Sequence, residues 1–126
     1  MREPVRDKGR LEHMLEAIDL ILNYMSDKSF DDLPKERIAY YGIIKNIEII
    51  GEAAYKLSSD FKHINNDTPW SIIEKMRHVL VHDYYQIDEN EIKYVIEDDL
   101  YPLRNQVKKY IEETNWETWE QQEFQQ

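Results

Sequence analysis

The chain has 126 residues, no cysteine and a formal net charge of -10. That is room for one domain with an ordinary core, and it excludes a disulfide scaffold, a thiolate metal site and a thiol nucleophile. No apolar run approaches the roughly 20 residues of a membrane span and the N-terminal stretch lacks a signal-peptide core, so a cytoplasmic protein with no membrane partner is expected. Residues 112–126 carry five glutamates and no Lys or Arg. The bulk acidity speaks against a chain whose main work is coating nucleic acid, while leaving room for a small local RNA site.

Few glycines and prolines and no Asn-Gly or Asp-Gly hairpin signal point to an all-α chain. A first amphipathic helix is predicted from about Asp7 to Asp27, with Leu11, Met14, Leu15, Ile18, Ile21, Leu22 and Met25 on one stripe. Asp32 or a neighbour can cap the next helix, with Pro34 in its first turn. That helix runs to about Ser58 and buries Ile43, Ile47, Ile50, Ala54 and Leu57. Gly51 interrupts its pattern at a cost of about 1 kcal/mol relative to alanine, which close approach of another helix would offset.

The stretch SDFKHINNDT reads as a linker, followed by Thr68 as N-cap and Pro69 at the first position of a third helix to about His82. Asp88 and Glu91 have capping-box spacing at the start of a fourth helix. It reaches about Glu113 with Ile92, Val95, Ile96, Leu103, Val107 and Tyr110 inward, and Pro102 implies a kink or break near Leu100. The fold is thus an antiparallel bundle of four or five helices over residues 1–113. An acidic Gln- and Glu-rich tail, 114–126, carries Trp116, Trp119 and Phe124.

The chemistry concentrates in Arg77-His78-Val79-Leu80-Val81-His82-Asp83-Tyr84-Tyr85. A histidine exchanges protons near neutral pH, and a guanidinium grips phosphate oxygens with paired hydrogen bonds. Together they suit phosphodiester cleavage, with His82 moving a proton and Arg77 stabilising charge on the pentacoordinate phosphorus. Five residues apart, the two lie roughly 140° apart on a straight helix. They converge if His82 sits in a loosening last turn, or across a dimer axis where two copies supply a base and an acid.

Plainer roles compete. His82 can cap a helix C-terminus, Arg77 can pair with Glu74 or Asp83, and Tyr84 and Tyr85 can pack. Glu74, His78 and His82, spaced i, i+4, i+8, are a weaker candidate for a metal face. Glu48 and Glu52 either orient the Arg or His from the preceding helix or form a solvated face. Lys45, Lys56, Lys75, Arg104, Lys108 and Lys109 are candidate borders of an RNA groove.

The segment fits R-x-x-x-x-H-x-Y, and it stands among DKGRLEHMLEAID, NIEIIGEAAYKLS and PWSIIEKMRHVLVHDYYQID. In these motifs, over about residues 5–111, the chain resembles the HepT-like toxins of the HEPN superfamily. The resemblance implies a dimeric helical bundle that cleaves RNA without a metal or other cofactor. Its site, at the dimer interface, is built on Arg77 and His82. It further implies a minimal nucleotidyltransferase antitoxin that silences the toxin by transferring AMP to Tyr84. The residue after the motif arginine is commonly Asn in that family and is His78 here. A second functional class stays open, a non-catalytic dimeric module that binds a nucleotidyltransferase or nucleotide.

Overall fold

A computed structural model describes residues 6–78 and 87–125, with side chains described as far as residue 121. Among the described residues there are seven α-helices and no strand: α1 Asp7–Met25, α2 Arg37–Lys56, α3 Ser59–Ile64, α4 Trp70–Glu74, α5 Glu89–Tyr94, α6 Leu100–Glu113 and α7 Trp116–Gln125. The all-α expectation holds.

The predicted stripes form the core. Leu11, Met14, Ile18 and Ile21 of α1 are buried, as are Ile43, Ile47, Ile50 and Ala54 of α2 and Leu103, Val107 and Tyr110 of α6. Leu15 and Met25 are only partly covered. α1 and α2 run antiparallel, because the start of α1 is tied to the end of α2 (Asp7 to Ser58) and the end of α1 to the start of α2 (Tyr24 to Glu36). α6 lies along the other side of α1, where Arg104 donates to Asp19 at 2.6 Å.

Four local expectations are corrected. The turn before α2 is a separate 3-10 segment, Phe30–Lys35, capped by Ser29 rather than Asp32, and α2 begins only at Arg37. Pro34 sits inside that turn, where its missing N–H costs little. The supposed linker holds α3, whose N-cap Ser58 accepts from the Phe61 amide. Thr68 is not a cap. Its buried hydroxyl pairs with that of Tyr110, which donates in turn to Asp67 at 3.0 Å. Burial pushes the Tyr110 hydroxyl above its ordinary value, so it remains a donor. The third helix is shorter than predicted. α4 ends at Glu74, a 3-10 turn follows from Lys75 to His78, and the rest of the prediction lies outside the described residues.

The break expected near Leu100 takes a specific form. α5 and α6 are joined through a π-turn, Val95–Asp99, in which the Leu100 amide reaches back to the Val95 carbonyl. The wider turn just before Pro102 relieves the clash that a proline ring makes with the preceding turn of a regular helix.

The acidic tail is packed. Phe61, fully buried, is the hub of an aromatic cluster with Trp70, Tyr110, Trp116 and Trp119 at centroid distances of 5.6–6.2 Å. Each such pair contributes roughly 0.5–1.5 kcal/mol beyond its buried area. The Trp119 indole donates to Asp7 Oδ2 at 2.9 Å, and the Trp116 indole to the Ile111 carbonyl at 2.8 Å. Asp7 is itself 2% exposed. Its carboxylate also accepts from the Ser58 amide at 2.8 Å and hydroxyl at 2.6 Å.

Asp7→Ala should therefore destabilise the fold by about 2 kcal/mol, since it leaves three partly buried donors without an acceptor. Urea unfolding followed by circular dichroism measures the loss. A change below about 0.5 kcal/mol, the range of ordinary surface substitutions, would contradict this role.

Candidate functional site

Arg77 is placed by α2. Added to Gly51, a Cβ would stand 2.2 Å from the Arg77 amide nitrogen and 2.8 Å from the Met76 carbonyl carbon. The backbone of the 3-10 turn rests on the glycine, and no side chain fits between. The close approach predicted for Gly51 is thus a contact with the site segment itself. On the far side, Lys62 Nζ holds Glu74 Oε1 at 2.5 Å and anchors the turn that leads to Arg77.

The Arg77 guanidinium lies over the Tyr55 ring, 3.4 Å from its centroid, and its Nε donates to His78 Nε2 at 3.0 Å. His78 therefore presents a ring nitrogen lone pair to Arg77. A stacked guanidinium keeps its in-plane N–H groups free for oxyanions. Glu74 is not the partner of Arg77, because Lys62 occupies it. That engagement and the change to 3-10 geometry at Lys75 take Glu74 and His78 out of regular α-helical register, while the third member of the candidate metal face, His82, lies outside the described residues.

Arg77 opens onto a cleft of about 270 Å³, lined by Arg10 and His13 of α1 and by Lys45, Glu48, Ile49, Glu52 and Ala53 of α2. Glu48 and Glu52 thus share the cleft with Arg77, while their ion-pair partners are Lys45 at 3.6 Å and Lys56 at 3.2 Å. Of the other candidate basic residues, Arg104 is engaged by Asp19, and Lys75 lines a separate hollow with Tyr94 and Asp99. His82, Tyr84 and Asp83 lie outside the described residues, as does Tyr85.

Three neighbours of Arg77 escape a reading of the sequence: Tyr55, Arg10 and His13. Arg10 and His13 are three residues apart, so they share a helix face. That periodic signal lies beside the apolar stripe of α1, but only the fold brings it next to Arg77. The Nε of Arg10 is buried with no hydrogen-bond partner among the described residues. Such a donor costs about 1–3 kcal/mol.

A family model described as HepT-like ribonuclease matches residues 14–110. The chain belongs to the HepT-like ribonuclease family. Among curated relatives, the "Probable ribonuclease HepT" of Thermococcus cleftensis is 30% identical over 81% of this chain and 93% of its own length. A Methanocaldococcus jannaschii protein named "Gamma-glutamylcyclotransferase and putative RNase" is 35% identical over 90% of this chain, but the chain spans only half of that protein. No solved structure matches. The HepT-like match contains Gly51, Tyr55 and Arg77, whereas Arg10 and His13 precede it.

The Gly51 contact has a direct consequence. Gly51→Ala forces a methyl group against backbone that has no rotamer to give way. It should cost about 3 kcal/mol in urea unfolding and displace Arg77. Gly42, open on every side within 4 Å, is the control: Gly42→Ala should leave stability unchanged or slightly raised. Equal responses at the two glycines would contradict the packing role of Gly51.

Proposed function

We propose that this chain is the toxin of a toxin–antitoxin pair, an endoribonuclease that cuts RNA without a metal at a site shared by two copies. The observation that carries the reading is Arg77. It is fixed by backbone contact, stacked on Tyr55 and open to a basic cleft, at the position where the sequence fits R-x-x-x-x-H-x-Y. Membership of the HepT-like ribonuclease family supports the same reaction class.

In the proposed reaction, His82 of one copy removes the proton from a 2′-hydroxyl. The oxygen attacks the adjacent phosphorus, and the bond to the 5′-oxygen breaks. His82 of the second copy protonates that leaving oxygen. The products are a 2′,3′-cyclic phosphate and a 5′-hydroxyl. Arg77 meets the extra negative charge of the pentacoordinate state with its free in-plane donors, the task that a preorganised cation performs best in a site held in advance. His78 steadies the guanidinium from its Nε side.

Cleavage of an RNA oligomer should persist in EDTA. Arg77→Ala and His82→Ala should each lower the rate by at least about 10²-fold, the first through loss of a charge-stabilising donor and the second through loss of proton transfer, with an unchanged helical circular dichroism spectrum. His78→Asn should keep activity, since an amide oxygen can accept from Arg77 Nε as the imidazole does. Light scattering should give twice the 15.3 kDa chain mass. Activity that disappears in EDTA and returns with zinc or manganese would contradict the metal-free route. If RNA stays intact while the chain binds a nucleotidyltransferase, the non-catalytic module is the correct class.

Silencing is proposed to occur at Tyr84, by AMP transfer from a cognate minimal nucleotidyltransferase. The added phosphate and purine would oppose an RNA phosphate by charge and by volume. Intact mass after incubation with that enzyme and ATP should show AMP increments in the wild type and Tyr85→Phe, and none in Tyr84→Phe. Unchanged labelling of Tyr84→Phe would overturn the assignment.

A further inference from the structure

We infer that His13 and Lys45 form a second phosphate subsite, beside the one that Arg77 and Arg10 hold, which takes the phosphodiester next to the scissile one in a single RNA strand. The inference rests on the ribonuclease reading of the same cleft.

Arg10, His13 and Lys45 come from two helices and meet in one cleft with Arg77. Lys45, Glu48 and Glu52 follow one another on a single face of α2, and Arg10 and His13 on one face of α1. Gly51 marks where Arg77 rests against α2. Lys45 lies six residues before it, about 9 Å along the helix axis. That is further than one phosphate group extends, so Lys45 serves a neighbouring phosphate and not the one that Arg77 holds. Because α1 and α2 are antiparallel and Asp7 meets Ser58, Arg10 lies toward the Arg77 end of the cleft and His13 further toward Lys45.

The charge pattern suits a polyanion. Arg10, Lys45 and Arg77 are permanent cations, opposed in the cleft by the carboxylates of Glu48 and Glu52. Glu52 is shared with Lys56 outside it. The local balance is positive in a chain whose net charge is -10. Arg10 adds an observation of another kind. Its Nε is a buried donor for which the described protein supplies no acceptor, so a turn of the guanidinium toward an anion in the cleft breaks no hydrogen bond at that nitrogen. The half-exposed Ile49 and the buried Ala53 make an apolar floor for the sugar or base between two phosphates.

The test is cleavage of two substrates by the full chain: a dinucleotide with a single phosphodiester and no terminal phosphate, and a hexanucleotide of the same base. Lys45→Ala should lower kcat/KM for the hexanucleotide about tenfold, as expected for loss of one charged contact, and leave the dinucleotide unaffected. His13→Gln should act in the same direction. Lys109→Ala removes an equal charge from α6, away from the cleft, and should change neither. The Lys45 side chain is 69% exposed, so its truncation does not threaten the fold.

In parallel, binding of an uncleavable 2′-O-methyl hexanucleotide is followed by fluorescence anisotropy across a salt series. Lys45→Ala should reduce the slope of log affinity against log salt by about 0.7, the contribution of one phosphate contact on a single strand. Equal losses for dinucleotide and hexanucleotide, or a Lys45→Ala response no larger than that of Lys109→Ala, would overturn the subsite while leaving the ribonuclease reading intact. Wild type that binds the hexanucleotide with the Lys45-dependent slope but cleaves neither substrate would overturn the ribonuclease reading and support the subsite as an RNA-binding one. Wild type that neither binds nor cleaves would overturn both.

Discussion

The site depends on the absence of one side chain. Gly51 lets the backbone of Met76 and Arg77 lie directly on α2, closer than any Cβ allows. A helix interior normally disfavours glycine, and here the cost is offset by a backbone contact that fixes an arginine in space. The Lys62–Glu74 pair holds the preceding turn from its other side, and Tyr55, one turn beyond Gly51 on α2, takes the face of the guanidinium. Position, tilt and exposed edge of Arg77 are therefore set by three separate contacts, two of them on α2. A charged group held this way pays little reorganisation cost when it meets a developing charge.

The cleft in front of Arg77 lies between α1 and α2, so its width depends on how these helices are tied. At one end, the buried Asp7 carboxylate gathers donors from the α2–α3 corner and from Trp119 of α7. At the other, the Tyr24 hydroxyl donates to Glu36 at 2.6 Å, and this hydrogen bond raises the pKa of the phenol above its usual value. The first tie is sheltered and the second exposed, so the Asp7 end is the stronger of the two. It is also the end nearer Arg77. The aromatic cluster around Phe61 reinforces it, which gives the acidic tail a structural part in holding the site.

How much of this could be read from the sequence follows from which forces are periodic. The stripes of α1, α2 and α6 were legible because burial repeats with the helix turn, and Gly51 was legible as a break in that repeat. Arg77 stood out by its residue type and its spacing to His82. α3 reads as a linker in the sequence because so short a helix shows no periodicity, and its cap depends on a serine that Asp7, 51 positions earlier, also binds. Thr68 before Pro69 had the form of a cap, yet its hydroxyl went to Tyr110 on α6. Tyr55, Arg10 and His13 escaped for the same reason. Each has a local role that explains it well enough, and only the antiparallel pairing of α1 with α2, with the Arg77 turn laid on top, makes them neighbours.

The apparent conflict between an acidic chain and an RNA substrate resolves at the scale on which charges act. At physiological ionic strength, exposed charges more than about 8 Å apart are largely screened from one another. Lys45 stands eleven residues before Lys56 at the end of α2, about 16 Å along the axis, and Glu117 and Glu120 lie beyond that end, on the helix that docks against Asp7 and Phe61. They contribute to the net charge without cancelling the field at Lys45. What an approaching phosphate meets is the lining of the cleft, where Arg10, Lys45 and Arg77 outnumber Glu48 and Glu52. The surrounding acidity has an effect of its own, since it weakens adhesion of nucleic acid to the rest of the surface. A chain of this composition is poorly suited to coating RNA. In the proposed reading, a strand enters where the basic residues of two helices converge beside one arginine held in advance.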